Sequence, residues 1–181
     1  MSKKILIVDD EKISKYLSNI QVSAARLTEL LNDLLDLAKL ESGNEELHLK
    51  KHALDELLKA SINEVEGLLH DKNINIEQQV QVVESIEIDF KLMLHVIINL
   101  LSNAIKFSPA HSTIKIIANQ DDSQPTNLYL SVIDQGQGIP DGQLESIFDK
   151  FVQSTMNKTQ KSGTGLGLPI AKEIIELHNG R

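Results

Sequence analysis

The stretch NLLSNAIKFSP, residues 99–109, decides how this chain is read. It continues an apolar run that starts in HVIINLL, and Asp89 stands where it can cap a helix running to about Phe107. Asn99 and Asn103 are four residues apart on that helix and share a face, with Lys106 close to the same stripe. Amide side chains inside an apolar run are disfavoured unless they are hydrogen-bonded. Two readings compete. Either the amides are core groups bonded to backbone, or they offer carbonyl oxygens to a hard cation such as Mg²⁺, with Lys106 as a point charge for the phosphates that such a cation carries.

Two glycine-bearing stretches lie downstream. DQGQGIP, residues 134–140, follows the strand-like LYLSVI, so that Asp134 stands at a strand end with Gly136 and Gly138 turning the chain behind it. A carboxylate there accepts hydrogen bonds from an exocyclic amine such as that of adenine; taken alone, the stretch is a turn. KSGTGLGLPIAK, residues 161–172, sets Gly163, Gly165 and Gly167 at alternate positions ahead of a helical pattern. Glycines let backbone N–H groups approach an anion, and a helix N-terminus behind them adds partial positive charge; the plainer reading is a loop before a helix. The spelling excludes both the dinucleotide fingerprint G-x-G-x-x-G and the P-loop G-x-x-x-x-G-K-[ST].

Taken in order, the asparagine pair, D-x-G-x-G-I and G-T-G-L-G-L resemble the N, G1 and G2 boxes of the GHKL ATP-binding superfamily. The resemblance is strongest to the catalytic domain of sensor histidine kinases, whose F box is matched by FDKF, residues 148–151. It implies an α/β sandwich holding ATP between the asparagine helix and a glycine-rich lid. Carried over residue by residue, Asn103 ligates Mg²⁺, Asn99 sits beside metal and phosphates, and Lys106 contacts phosphate. Asp134 binds the adenine amine above a floor shaped by Gly136 and Gly138. Gly163, Thr164, Gly165, Leu166, Gly167 and Leu168 form the phosphate-facing end of the lid, which Phe148 and Phe151 anchor.

The remaining pattern frames these boxes. Ile13, Leu17, Ile20, Ala24, Leu27, Leu31, Leu34 and Ala38 recur in steps of four and three, widened by Leu30, Leu35 and Leu37, which predicts a long helix stopped near Gly43. RLTELLNDLLDLAKLESG resembles the second helix of the kinase dimerisation domain, and a stripe this broad predicts a homodimer. Further on, 52–69 reads as a helix and NINIEQQV as a strand. STIKIIAN and NLYLSVID read as neighbouring strands joined by QDDSQPT, and 145–151 as a short amphipathic piece. QSTMNKTQKS reads as a polar, mobile loop, and 169–178 as a last helix with Pro169 in its first turn. The expected fold is α+β, a two-layer sandwich preceded by a long helix. Its divisions are 1–12, 13–43 and 44–181.

KKILIVDD at the start resembles the first strand of a response-regulator receiver, where Asp9 and Asp10 would join an acidic pocket, but the chain turns into the dimerisation helix and the segment reads as a remnant. None of the six histidines sits in an H box resembling H-E-[LF]-R-T-P, so no phosphoacceptor is expected in this chain. Family members continue past HNGR with two more strands, and the sequence is expected to be truncated there.

Composition narrows the function classes. A net charge of −8 argues against nucleic-acid or anionic-membrane surfaces, and 3% aromatic residues against base stacking. There is no cysteine for disulfides or thiolate metal sites, and no signal-peptide pattern, so a cytoplasmic location is expected. The expected activity is transfer of the ATP γ-phosphoryl to histidine, with an H-box protein or a response regulator as partner in trans. The alternatives are a catalytically silent nucleotide-binding or dimerisation protein, or an inactive fragment.

Overall fold

The computed structural model describes residues 10–43, 46–81, 85–120, 127–152 and 163–181. The KILIVDD strand apart from Asp10, the QDDSQPT connection apart from its first residue, and QSTMNKTQKS lie outside these residues. The chain enters as a long helix, α1 (Asp10–Glu41), so the expected division after residue 12 falls inside a helix that already includes Asp10. It stops as expected: the N–H groups of Ser42 and Gly43 bond back to Ala38 and Leu40, and Gly43 takes φ +67°.

The rest is a two-layer sandwich. Strand β1 (Lys50–His52) pairs antiparallel with β3 (Ile86–Ile88), while β2 (Asn75–Val80) pairs parallel with β4 (Thr113–Gln120), which pairs antiparallel with β5 (Leu128–Ile133). Helices α2 (Leu54–Lys72) and α3 (Phe90–Phe107) cover one face of the larger sheet. Alternation selects that face: Ile114, Ile116 and Ala118 of β4 point into the core, whereas Tyr129 and Ile133 of β5 point out. Each fully buried Ile or Leu here contributes about 1.5–3 kcal/mol.

His52, expected to open a helix, ends β1 instead, and the helix begins at Leu54 and runs on to Lys72. The 145–151 segment is no regular helix; it holds a single 3₁₀ turn, Ser146–Phe148, after another at Asp141–Gln143. Helix α3 begins where the sequence predicted, with the Asp89 carboxylate accepting from the Leu92 N–H at 3.2 Å. Helix α4 (Gly167–Leu177) starts at the last of the alternating glycines.

Helix α3 is apolar and long enough to cross a membrane. Its side chains are instead divided between two cores. Ile97, Leu101, Ala104 and Ile105 pack with α2 and the sheet, while Val96 joins Leu37 and Leu40 of α1, Leu166 just before α4, and Ile170, Ala171 and Ile174 of α4. Two polar ties hold its ends. The Asp89 N–H donates to His178 Nε2 at 3.0 Å, binding the start of α3 to the end of α4. The Lys72 ammonium donates to the carbonyls of Ile105 (2.8 Å), Lys106 (2.8 Å) and Ser108 (3.0 Å), closing the other end.

Candidate functional site

A cleft opens at the C-terminal end of α3, and of the sequence-predicted residues Lys106 and Gly136 line it. Asn99 is half-buried and donates its amide to the Gly167 carbonyl at 3.3 Å. A Cβ on Gly167 would stand 3.3 Å from Asn99 Oδ1, so the small residue lets α4 begin against the asparagine. The first asparagine is therefore satisfied by backbone. Asn103, one turn further along the same face, is half-buried.

Lys106 lines the cleft and reaches towards Gly163. Its ammonium lies 4.8 Å from the Phe107 ring centroid and would be 3.0 Å from a Cβ on Gly163. Burial pushes its pKa below the ordinary lysine range; Glu29 on α1 pulls it back up, and Arg26 on the same helix pushes it down. At the far end, the Asp134 carboxylate accepts from the Gly136 N–H at 2.7 Å and is exposed. A Cβ on Gly136 would be 2.9 Å from the Phe107 carbonyl, so only glycine lets this turn rest on the end of α3. Between them lies an open pocket of about 450 Å³, lined by Lys72, Lys106, Phe107, Ser108 and Gly136 among others. Gly138 continues the turn at φ +74° with open space where a Cβ would be.

The glycine-rich segment is held from two sides. The Phe151 N–H bonds to the Gly165 carbonyl at 3.0 Å, and a Cβ on Gly165, at φ +75°, would press on the Phe151 backbone at 3.0 Å. The tie is through backbone; the Phe148 and Phe151 rings lie exposed. Leu166 is fully buried in the second core, so its side chain serves packing, and only its backbone can face the cleft. Leu168 is half-buried in the first turn of α4.

Helix α1 adds contacts that the local pattern did not reveal. The Thr164 hydroxyl donates to Asp33 Oδ2 at 2.7 Å and accepts from the Leu166 N–H at 3.1 Å. Lys150 pairs with Glu41. Among the described residues no cluster of three or more His, Asp or Glu is built to hold a metal. A cation here would depend on the Asn103 amide and on oxygens carried by a ligand, which suits Mg²⁺.

A mixed sheet lies under two helices, and the amide-bearing helix α3 faces the glycine-rich start of α4. Residues 88–181 match the family described as histidine kinase-, DNA gyrase B-, and HSP90-like ATPase, and the chain belongs to that family. It is 35% identical over 162 residues to the sensor histidine kinase TmoS of Ectopseudomonas mendocina, covering 89% of this chain and 16% of that protein. To the sensor histidine kinase WalK of Bacillus subtilis it is 33% identical over 176 residues, covering 92% and 27%. Among solved structures it is similar to full-length ShkA in complex with AMPPNP, with a TM-score of 0.76 and 25% identity over 95% of this chain and 35% of that one. It is also similar to the histidine kinase ThkA in complex with the response regulator TrrA, with a TM-score of 0.74 and 27% identity over 96% and 47%. The chain thus spans less than half the length of these relatives, and its likeness is to the catalytic domains of histidine kinases.

Proposed function

We propose that the chain is the ATP-binding catalytic module of a two-component histidine kinase, delivering the γ-phosphoryl of ATP to a histidine. The observation that carries this reading is the approach of Lys106 to Gly163 and of Asn99 to Gly167, with Lys106 also lining a pocket shared with Gly136, whose N–H holds the Asp134 carboxylate. Asp134, its Oδ1 oriented by the Gly136 N–H, accepts the adenine amine. The Lys106 ammonium and the backbone amides of the Gly163–Gly167 turn hold phosphate oxygens, aided by the N-terminus of α4. Asn103 would hold Mg²⁺, which supplies neutralisation of phosphate charge; phosphoryl transfer depends mainly on such positioning and neutralisation.

No histidine of this chain stands in an H-box context, so the acceptor is proposed to be presented by another segment or polypeptide. The complex of ThkA with TrrA supports a response regulator as the downstream partner. The exposed leucines of α1, among them Leu27, Leu31 and Leu35, support a homodimer through that helix, and the proposed setting is the cytoplasm.

Calorimetric titration with ATP, with and without Mg²⁺, tests the reading. Asp134→Asn removes a charged acceptor worth about 1.5–3 kcal/mol, and nucleotide affinity is expected to fall about ten- to a hundredfold. A folded wild-type chain that binds no nucleotide at millimolar concentration refutes it.

A further inference from the structure

Helix α1 presents carboxylates to the side of the cleft that would receive phosphate. Asp33 accepts a hydrogen bond from the Thr164 hydroxyl at 2.7 Å. Glu29, one turn earlier, acts electrostatically on Lys106, the amine nearest Gly163. One turn beyond Asp33, Leu37 is buried against α4, and Leu40 with it. One face of the helix therefore carries an apolar grip at one end and acidic groups at the other. The charge of Arg26 opposes that of Glu29 at Lys106, but Asp33 leaves Arg26, Glu29 and Asp33 together with a net negative charge.

A triphosphate brought to Lys106 and the Gly163–Gly167 turn would meet both carboxylates as like charges and would need the hydroxyl that Asp33 holds. Asp33 is half-buried and so is screened less than an exposed group, whereas the exposed Glu29 adds a weaker, more strongly screened repulsion. We propose that Asp33 is a counter-ligand, seconded by the charge of Glu29: with α1 docked, Asp33 holds the Thr164 hydroxyl at the turn meant for phosphate, so that α1 docking and binding of the phosphate chain oppose each other. The proposal rests on the ATP reading and adds its regulation. Linkage makes the opposition reciprocal: nucleotide loosens α1, and any partner that draws α1 away raises affinity for nucleotide.

The test is titration of ATP, ADP and adenosine into the wild type and a Glu29→Gln/Asp33→Asn double variant. Asparagine at 33 keeps an acceptor for the Thr164 hydroxyl, so charge alone is removed. Asp55→Asn, on α2 and paired with Lys59 at the surface, controls for overall charge. The double variant is expected to bind ATP about 5- to 20-fold tighter, within the usual span of coupling between sites, with a smaller gain for ADP and none for adenosine. The gain is expected to shrink at high salt. Unchanged or weaker ATP affinity in the double variant, an equal gain for adenosine, or the same gain in Asp55→Asn overturns the proposal while leaving the ATP site standing. Absence of nucleotide binding in every variant overturns both.

Discussion

Lys72→Met tests how the end of α3 is held. Methionine keeps the length and apolar stem of lysine but removes an ammonium that donates to Ile105, Lys106 and Ser108 carbonyls at 2.8, 2.8 and 3.0 Å. A hydrogen bond to a charged group is worth about 1.5–3 kcal/mol, and a cation at a helix C-terminus about 0.3–1 kcal/mol more. The three bonds share one charge, Lys72 is only half-buried, and water can reach part of the freed carbonyls, so they do not add. A loss of about 2 kcal/mol follows, or about 4–8 °C in Tm for a chain of this size. Urea unfolding should show a lower midpoint with an unchanged slope. Because Lys106 and Phe107 ride on the released turn, nucleotide affinity should fall as well. A variant within about 0.5 kcal/mol of the wild type, the range of an ordinary surface change, would refute the capping argument.

Two further outcomes are expected. Burial pushes the Asp89 pKa up, but hydrogen bonds from the Leu92, His48 and Lys91 N–H groups and the nearby His178 bring it below 3.8. The stability that Asp89 contributes is then full above 3.8 and is lost as pH falls through the lower folded value. Asp89→Asn should cost about 1 kcal/mol at neutral pH, with the two stability curves converging in acid; parallel curves would show that the carboxylate is not the cause. Leu27→Glu with Leu31→Glu places charges on exposed positions of α1, and sedimentation should convert a dimer to a monomer of unchanged helix content; a wild type that is monomeric at high concentration sinks the dimer.

Local signals carried most of the framework. The limits of α3 could be read because Asp89 is a strong N-cap and Pro109 disfavours helix at Ser108. β4 and β5 could be read because their alternation matches a sheet with one covered face. β1 and β3, at three residues each, are too short to alternate visibly, and His52 fitted a helical spacing that the pairing of Lys50–His52 with Ile86–Ile88 overrode. At the cleft, the glycines and amides announced themselves by composition. Their positions relative to α1 did not: the Thr164–Asp33 bond joins residues 131 apart, and the Lys72 cap reaches across to the next helix. Such contacts depend on how elements dock, and no window of neighbouring residues encodes them.

The division of α3 between two cores gives the cleft unequal foundations. The Asp134–Gly136 turn rests on the Phe107 carbonyl, at the end of a helix anchored in the broad α2, α3 and sheet core. The glycine turn belongs to the smaller cluster of α1, Val96 and α4. Elements with fewer buried apolar partners open locally at lower free energy. The cleft should therefore come apart from its α4 wall first, with the Asp134 wall still folded. On the proposed ATP reading, a bound nucleotide would then lose its hold on the phosphates before its hold on the base, without the domain unfolding.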